Sequence, residues 1–219
     1  MKKRVLTLMT LVLWGVLFSC NREVILTYTD DIVIDLGSTE KDILAYVSAS
    51  DGSAVSVSGI DYDLVGEQIA TFTSGDKSEK KSVKIKSDKL AGMYEISIFL
   101  MAEDKEYELT YGDGWLMEIT KGSQYNQINI PDTIETGTPI FIDAGTLVVT
   151  FNGKDSATIP GFTGDFNFGF ETSHWSFSNI VYGPIGKGDY ALEGFLMKEN
   201  PLNSNYEYYY RVQLDKQTD

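Results

Sequence analysis

The chain has 219 residues, a formal charge of −14, one cysteine (Cys20) and one histidine (His174). Such an acidic balance argues against nucleic acid and against an electrostatic hold on anionic lipid, since both require Lys/Arg patches. A single thiol and a single imidazole leave no disulfide within the chain, no Cys-ligated zinc and no multi-histidine metal centre.

Lys2, Lys3 and Arg4 form a short positive segment, and an apolar run from Val5 to Phe18 follows. That layout predicts a secretory signal. The run is shorter than the roughly 20 apolar residues a bilayer-spanning helix needs. Leu17-Phe18-Ser19-Cys20 resembles the bacterial lipobox, in which the cysteine receives a diacylglycerol and cleavage falls just before it. The resemblance implies a signal peptide over residues 1–19, lipidation at Cys20, a tether over residues 20–23 and membrane attachment through the lipid. Removing three cations with the leader makes the remaining body more acidic still.

Aromatic residues make up 12% of the chain and long helix-forming runs are scarce, which predicts an all-β fold. Period-2 alternation recurs in chain order. It runs through Ile32, Ile34 and Leu36, then Val55 and Val57, then Val83 and Ile85 against Ser82, Lys84 and Lys86. Beyond Gly92 it runs through Tyr94–Leu100, Tyr107–Tyr111, Leu147–Phe151 and Tyr206–Leu214. Asp51-Gly52, Asp113-Gly114 and Asn152-Gly153 read as tight hairpin turns, because glycine there tolerates positive φ. A single helical turn is expected near Thr39–Ile43 or Ser87–Leu90. Ser82–Lys86 reads as the strand that closes a first unit, and the polar break Ser87-Asp88-Lys89 divides the chain into 24–87 and 88–219. The second unit is expected to be a larger antiparallel β-sandwich or barrel.

Leu36-Gly37-Ser38, Val47-Ser48-Ala49-Ser50-Asp51-Gly52, Val55–Gly59, Gly66 and Val83-Lys84-Ile85 resemble the immunoglobulin-like repeats of bacterial surface proteins. The match departs after Gly66, where Glu67–Phe72 and Ser74-Gly75-Asp76-Lys77 replace the Tyr-rich strand and Asp-Gly-Asn turn of such repeats. The resemblance implies an Ig-like β-sandwich over 24–87. Leader, Ig-like module and C-terminal β region together resemble surface lipoproteins of Bacteroides-type bacteria. That likeness implies an outer-membrane, cell-surface address and a non-enzymatic role in glycan binding or glycan uptake. Polysaccharide or an outer-membrane transporter complex would be the partner. A structural or protein-interaction module of such a complex is the alternative, and a carboxylate-dependent glycoside hydrolase the third reading.

Chemistry-bearing motifs are sparse. No Gly-x-Ser-x-Gly elbow surrounds a serine, so His174 has no nucleophile assigned to it. Thirty-two acidic residues guarantee close carboxylate pairs without selecting one as catalytic. Asp61, Asp63 and Glu67 could offer oxygen ligands to calcium, without the regular spacing of an EF-hand loop. Gly183–Gly188 lacks the spacing and the Ser/Thr of a P-loop and reads as a turn. Aromatic side chains remain, because sugar C–H faces stack on rings flanked by polar groups. Trp115, Trp175 and Tyr182 stand in Gly-, Asp-, Ser- and Asn-rich surroundings, and Tyr209 falls on the opposite face from Tyr206, Tyr208 and Tyr210. These four are the ligand-binding candidates. For the two tryptophans the competing reading is a core plug.

Overall fold

The chain is all-β in the computed structural model, which describes residues 23–102, 105–139, 141–142, 145–153, 157–158, 163–167, 172–186, 189–199 and 206–217. Strands β1 (Leu26–Tyr28), β2 (Ile32–Asp35), β3 (Val47–Ala49), β4 (Ser56–Ser58), β5 (Gly66–Ser74) and β6 (Lys77–Lys86) come first, with helix α1 (Glu40–Leu44) between β2 and β3. β1 pairs with β3, and the other four form a sheet in the order β2-β6-β5-β4.

The β5–β6 hairpin turns on Gly75-Asp76, with Ser74 opposite Lys77 and Gly75 at φ +56°. A two-residue loop with positive φ matches the right-handed twist of the strands it joins. β6 lies inside the sheet, antiparallel to β5 and parallel to β2. It is last in sequence in this sheet but does not sit at the edge. Val83 and Ile85 are fully buried, and alternation sends Ser82, Lys84 and Lys86 to the opposite face. Tyr28 of β1 meets Phe72 of β5 edge-on at 5.5 Å, so the two-stranded sheet packs on the four-stranded one. Ile32, Ile34, Leu36, Ile43, Val65 and Ala70 complete this part of the core, each large one contributing about 1.5–3 kcal/mol by leaving water.

Where a single helical turn is expected at one of two places, turns form at both, as α1 and as a 3-10 turn over Asp88–Leu90. At the start of α1 the Asp42 carboxylate accepts the Thr39 N–H at 2.8 Å and its hydroxyl at 2.9 Å. The carboxylate takes up a donor that the first helical turn leaves unpaired. These bonds, the backbone one foremost, hold the Asp42 carboxyl below its usual range.

After the 3-10 turn come β7 (Gly92–Ala102), β8 (Lys105–Lys121), β9 (Gln127–Ile130), β10 (Phe141–Ile142), β11 (Leu147–Phe151), β12 (Ala157–Thr158), β13 (Thr163–Asn167), β14 (Thr172–Gly186), β15 (Asp189–Glu199) and β16 (Tyr206–Lys216). They make one ten-stranded sheet in the order β10-β13-β14-β15-β16-β7-β8-β9-β11-β12, antiparallel throughout. The sheet curls into a half-barrel, bringing Cα atoms of β12 within 8 Å of β14. The first and last barrel strands pair with each other, from Lys216 opposite Tyr94 to Tyr209 opposite Met101. The two edge strands of the sheet are β10 and β12, with β13 paired inside β10.

Two of the expected hairpin turns do other work. Asp51-Gly52 turns the chain, but β3 goes to β1 and β4 to β5, so it links two sheets. Asp113-Gly114 lies inside β8, where the register against β7 slips between Ile96 and Ile98 and Gly114 takes φ +72°. A left-handed glycine serves a β-bulge as well as a hairpin, and its dipeptide does not distinguish them. Asn152-Gly153 does follow β11, which pairs with β12.

The inward face of the curled sheet keeps period 2 where side chains are described. Tyr94, Ile96 and Ile98 are buried on β7, Met117 and Ile119 on β8, and Leu147, Val149 and Phe151 on β11. This core is continuous with that of the first six strands. Buried hydrogen bonds join the two parts. The Val65 N–H donates to the Tyr182 hydroxyl oxygen at 2.6 Å. Ser87, fully buried, donates its N–H to the Tyr125 carbonyl at 2.8 Å and its hydroxyl to the Gln127 carbonyl at 2.9 Å.

Candidate functional site

The sequence candidates do not converge on one place. Trp115 on β8 stands opposite Ile96, in file with buried Met117 and Ile119, and is half-buried against the core. Tyr182 on β14 is buried. Its ring meets Phe151 edge-on at 5.0 Å and its hydroxyl receives the Val65 N–H. A core position, not an exposed ligand platform, is therefore what the structure gives Tyr182. Trp175 pairs in register with Gly164 and Lys198, and Tyr209 with Met197 and Met101. The side chains of both lie outside the described residues, as does Cys20 altogether.

Two of the calcium candidates, Asp61 and Glu67, place a carboxylate oxygen on a protein partner. Asp61 accepts the Asp63 N–H at 3.0 Å, closing a local turn. Gln68 locks the same turn by donating to the Asp61 and Leu64 carbonyls. Glu67, on β5, accepts the Ser82 hydroxyl of β6. Among the described residues no group of three or more His, Cys, Asp or Glu is placed to hold a metal ion.

A cleft that the sequence did not announce lies where the first six strands meet the barrel. It has a volume of about 270 Å³, and its lining includes Val65, Glu67, Tyr125, Asn126, Phe151 and Asn152. Three separate stretches build it. One is the start of β5, one the turn between β8 and β9, and one the turn after β11. Buried Val65 and Phe151 supply apolar lining. The Asn126 side-chain amide donates to the Phe151 carbonyl at 2.8 Å and the Asn126 main-chain carbonyl accepts the Phe151 N–H at 2.9 Å, which fixes the second wall to the third. Tyr125 is half-buried, with the Lys84 ammonium 5.8 Å from its ring centre. Lys84 in turn pairs in register with Glu67, so the one carboxylate lining the cleft among the described residues has a cation beside it.

The described lining brings together a tyrosine, the amides of Gln68, Asn126 and Asn152, one carboxylate and the apolar residues Leu64, Val65 and Phe151. A groove on the outer flank of β7–β9 is larger, about 530 Å³, and its lining includes Met93, Glu118, Thr120, Asn129 and Glu135, with no aromatic ring. Domain junctions and apolar floors with a few polar groups are the commonest setting for small-ligand sites, which favours the cleft. No protein-family model matches the chain, and no curated protein is similar to it in sequence.

Proposed function

We propose that this chain is an exported lipoprotein of the outer membrane, facing the cell surface, whose body binds glycan in the cleft between the first six strands and the barrel. The address rests on the leader and Cys20 and on the resemblance that accompanies them. The binding role rests on one observation above the others. Half-buried Tyr125 lines the cleft together with Gln68, Asn126, Asn152 and Glu67, next to buried Val65 and Phe151. Ring faces take the C–H side of a sugar, and amides and carboxylates take its hydroxyls. The role is capture or delivery to an uptake complex, not bond cleavage.

Two measurements test the two halves. Replacing Cys20 with serine is expected to move the protein from the membrane fraction to the soluble one. Retention in the membrane would remove the lipid tether. Affinity electrophoresis against a panel of neutral polysaccharides is expected to show retardation by at least one. Tyr125→Ala should weaken it about tenfold, the scale of one lost ring contact of roughly 1.4 kcal/mol. Migration unchanged by every polysaccharide would sink the glycan reading.

A further inference from the structure

Resting on the glycan reading of the cleft, we propose that the site takes a single terminal, uncharged sugar residue and does not bind along an internal stretch of chain. Size is the first reason. At about 270 Å³ the cleft falls just below the roughly 300–1,000 Å³ of pockets that enclose drug-sized ligands. One sugar ring fits that space, and a run of several does not.

Shape is the second reason. Val65 and Phe151, both buried, belong to the lining. The start of β5, the Tyr125-Asn126 turn and the Asn152-Gly153 turn then stand as walls on separate stretches of chain, two of them joined by the bonds between Asn126 and Phe151. Such a pit admits a chain end. The flank groove, at about 530 Å³, has the room for an extended chain but no ring to stack one.

Glycine shapes the lip. Gly66 sits at φ +131° and Gly153 at φ +136°. A Cβ built on Gly66 meets nothing within 4 Å, and one on Gly153 meets only Leu64 Cδ1 at 3.9 Å. Two wall positions without side chains leave the mouth as wide as the backbone permits.

Charge is the third reason. Among the described residues Glu67 is the charged one in the lining, and the chain as a whole carries −14. A uronate or sulfated sugar would enter against that like charge, with Lys84 already engaged beside Glu67 and Tyr125. A neutral residue enters without that cost.

Calorimetry on the intact protein separates the possibilities. The probes are glucose, galactose, mannose and N-acetylglucosamine, the unbranched tetrasaccharide of each, and glucuronic acid. For the sugar that binds, monosaccharide and tetrasaccharide affinities are expected to agree within about threefold, and glucuronic acid to bind at least about tenfold more weakly than glucose. Affinity that rises more than about tenfold with chain length would overturn end recognition and leave the glycan reading standing. Equal binding of glucose and glucuronic acid would overturn the uncharged requirement. Binding by none of the probes would remove both the inference and the reading beneath it. Asn152→Ala, an exposed position, is expected to weaken the binding sugar at least about fivefold with an unchanged melting temperature, and unaltered binding would place the sugar elsewhere.

Discussion

Phe151→Ala is expected to cost about 3–5 kcal/mol of stability, the usual range for truncating a fully buried phenylalanine. Phe151 has no exposed surface and packs its ring against Tyr182 across the curl of the sheet. Alanine would leave a void between β11 and β14, directly beneath the cleft. Walls fixed by backbone bonds on either side cannot close over it, so the cavity part of the cost stays high. Set against a typical total of about 5–15 kcal/mol, the loss is large. Urea unfolding followed by tryptophan fluorescence would read it as a lower midpoint with little change in slope. A loss under about 1 kcal/mol would mean that β11 does not pack inward as described.

Tyr182→Phe is the second large effect, expected at about 1–3 kcal/mol. The ring stays on Phe151, and only the oxygen is lost. Val65 N–H, buried at the start of the cleft wall, is then left without its acceptor 2.6 Å away. The cost of a buried orphaned donor exceeds the net worth of the bond it once made. The same substitution distinguishes two roles for this residue. A core peg predicts lower stability in both the presence and absence of sugar. A ligand platform predicts unchanged stability and altered affinity. Thermal unfolding with and without the best sugar decides between them.

Much of the strand layout was legible because one face of each sheet is buried. Tyr94-Ile96-Ile98, Leu147-Val149-Phe151 and Val83-Ile85 alternate in sequence and are buried in the structure. Pairing was less legible. Local φ preference put turns at Asp51-Gly52 and Asp113-Gly114 correctly as places of positive φ, yet it carries no information on which strand comes next to which. Tyr182 was misplaced for a related reason. Gly183-Pro184 reads as a loop, but β14 runs through to Gly186, so the tyrosine lies within a strand, beside buried Ile180. Tyr125 escaped notice altogether. Its neighbours in the cleft come from stretches tens of residues apart, and no spacing motif joins Glu67, Asn126 and Asn152. Only the folded chain assembles them.

The pairing of β7 with β16 also dictates an order of events. The ladder joins positions far apart in sequence, as the 122-residue separation of Glu95 and Gln217 illustrates. Closing so long a loop is entropically costly before its contacts form, and folds dominated by such contacts form slowly. Until Tyr206–Lys216 has emerged, β7 keeps one edge without its partner and the ten strands cannot join into one sheet. A sheet whose central pairing waits for the last strand is expected to assemble late, and its half-formed edge stays exposed until then.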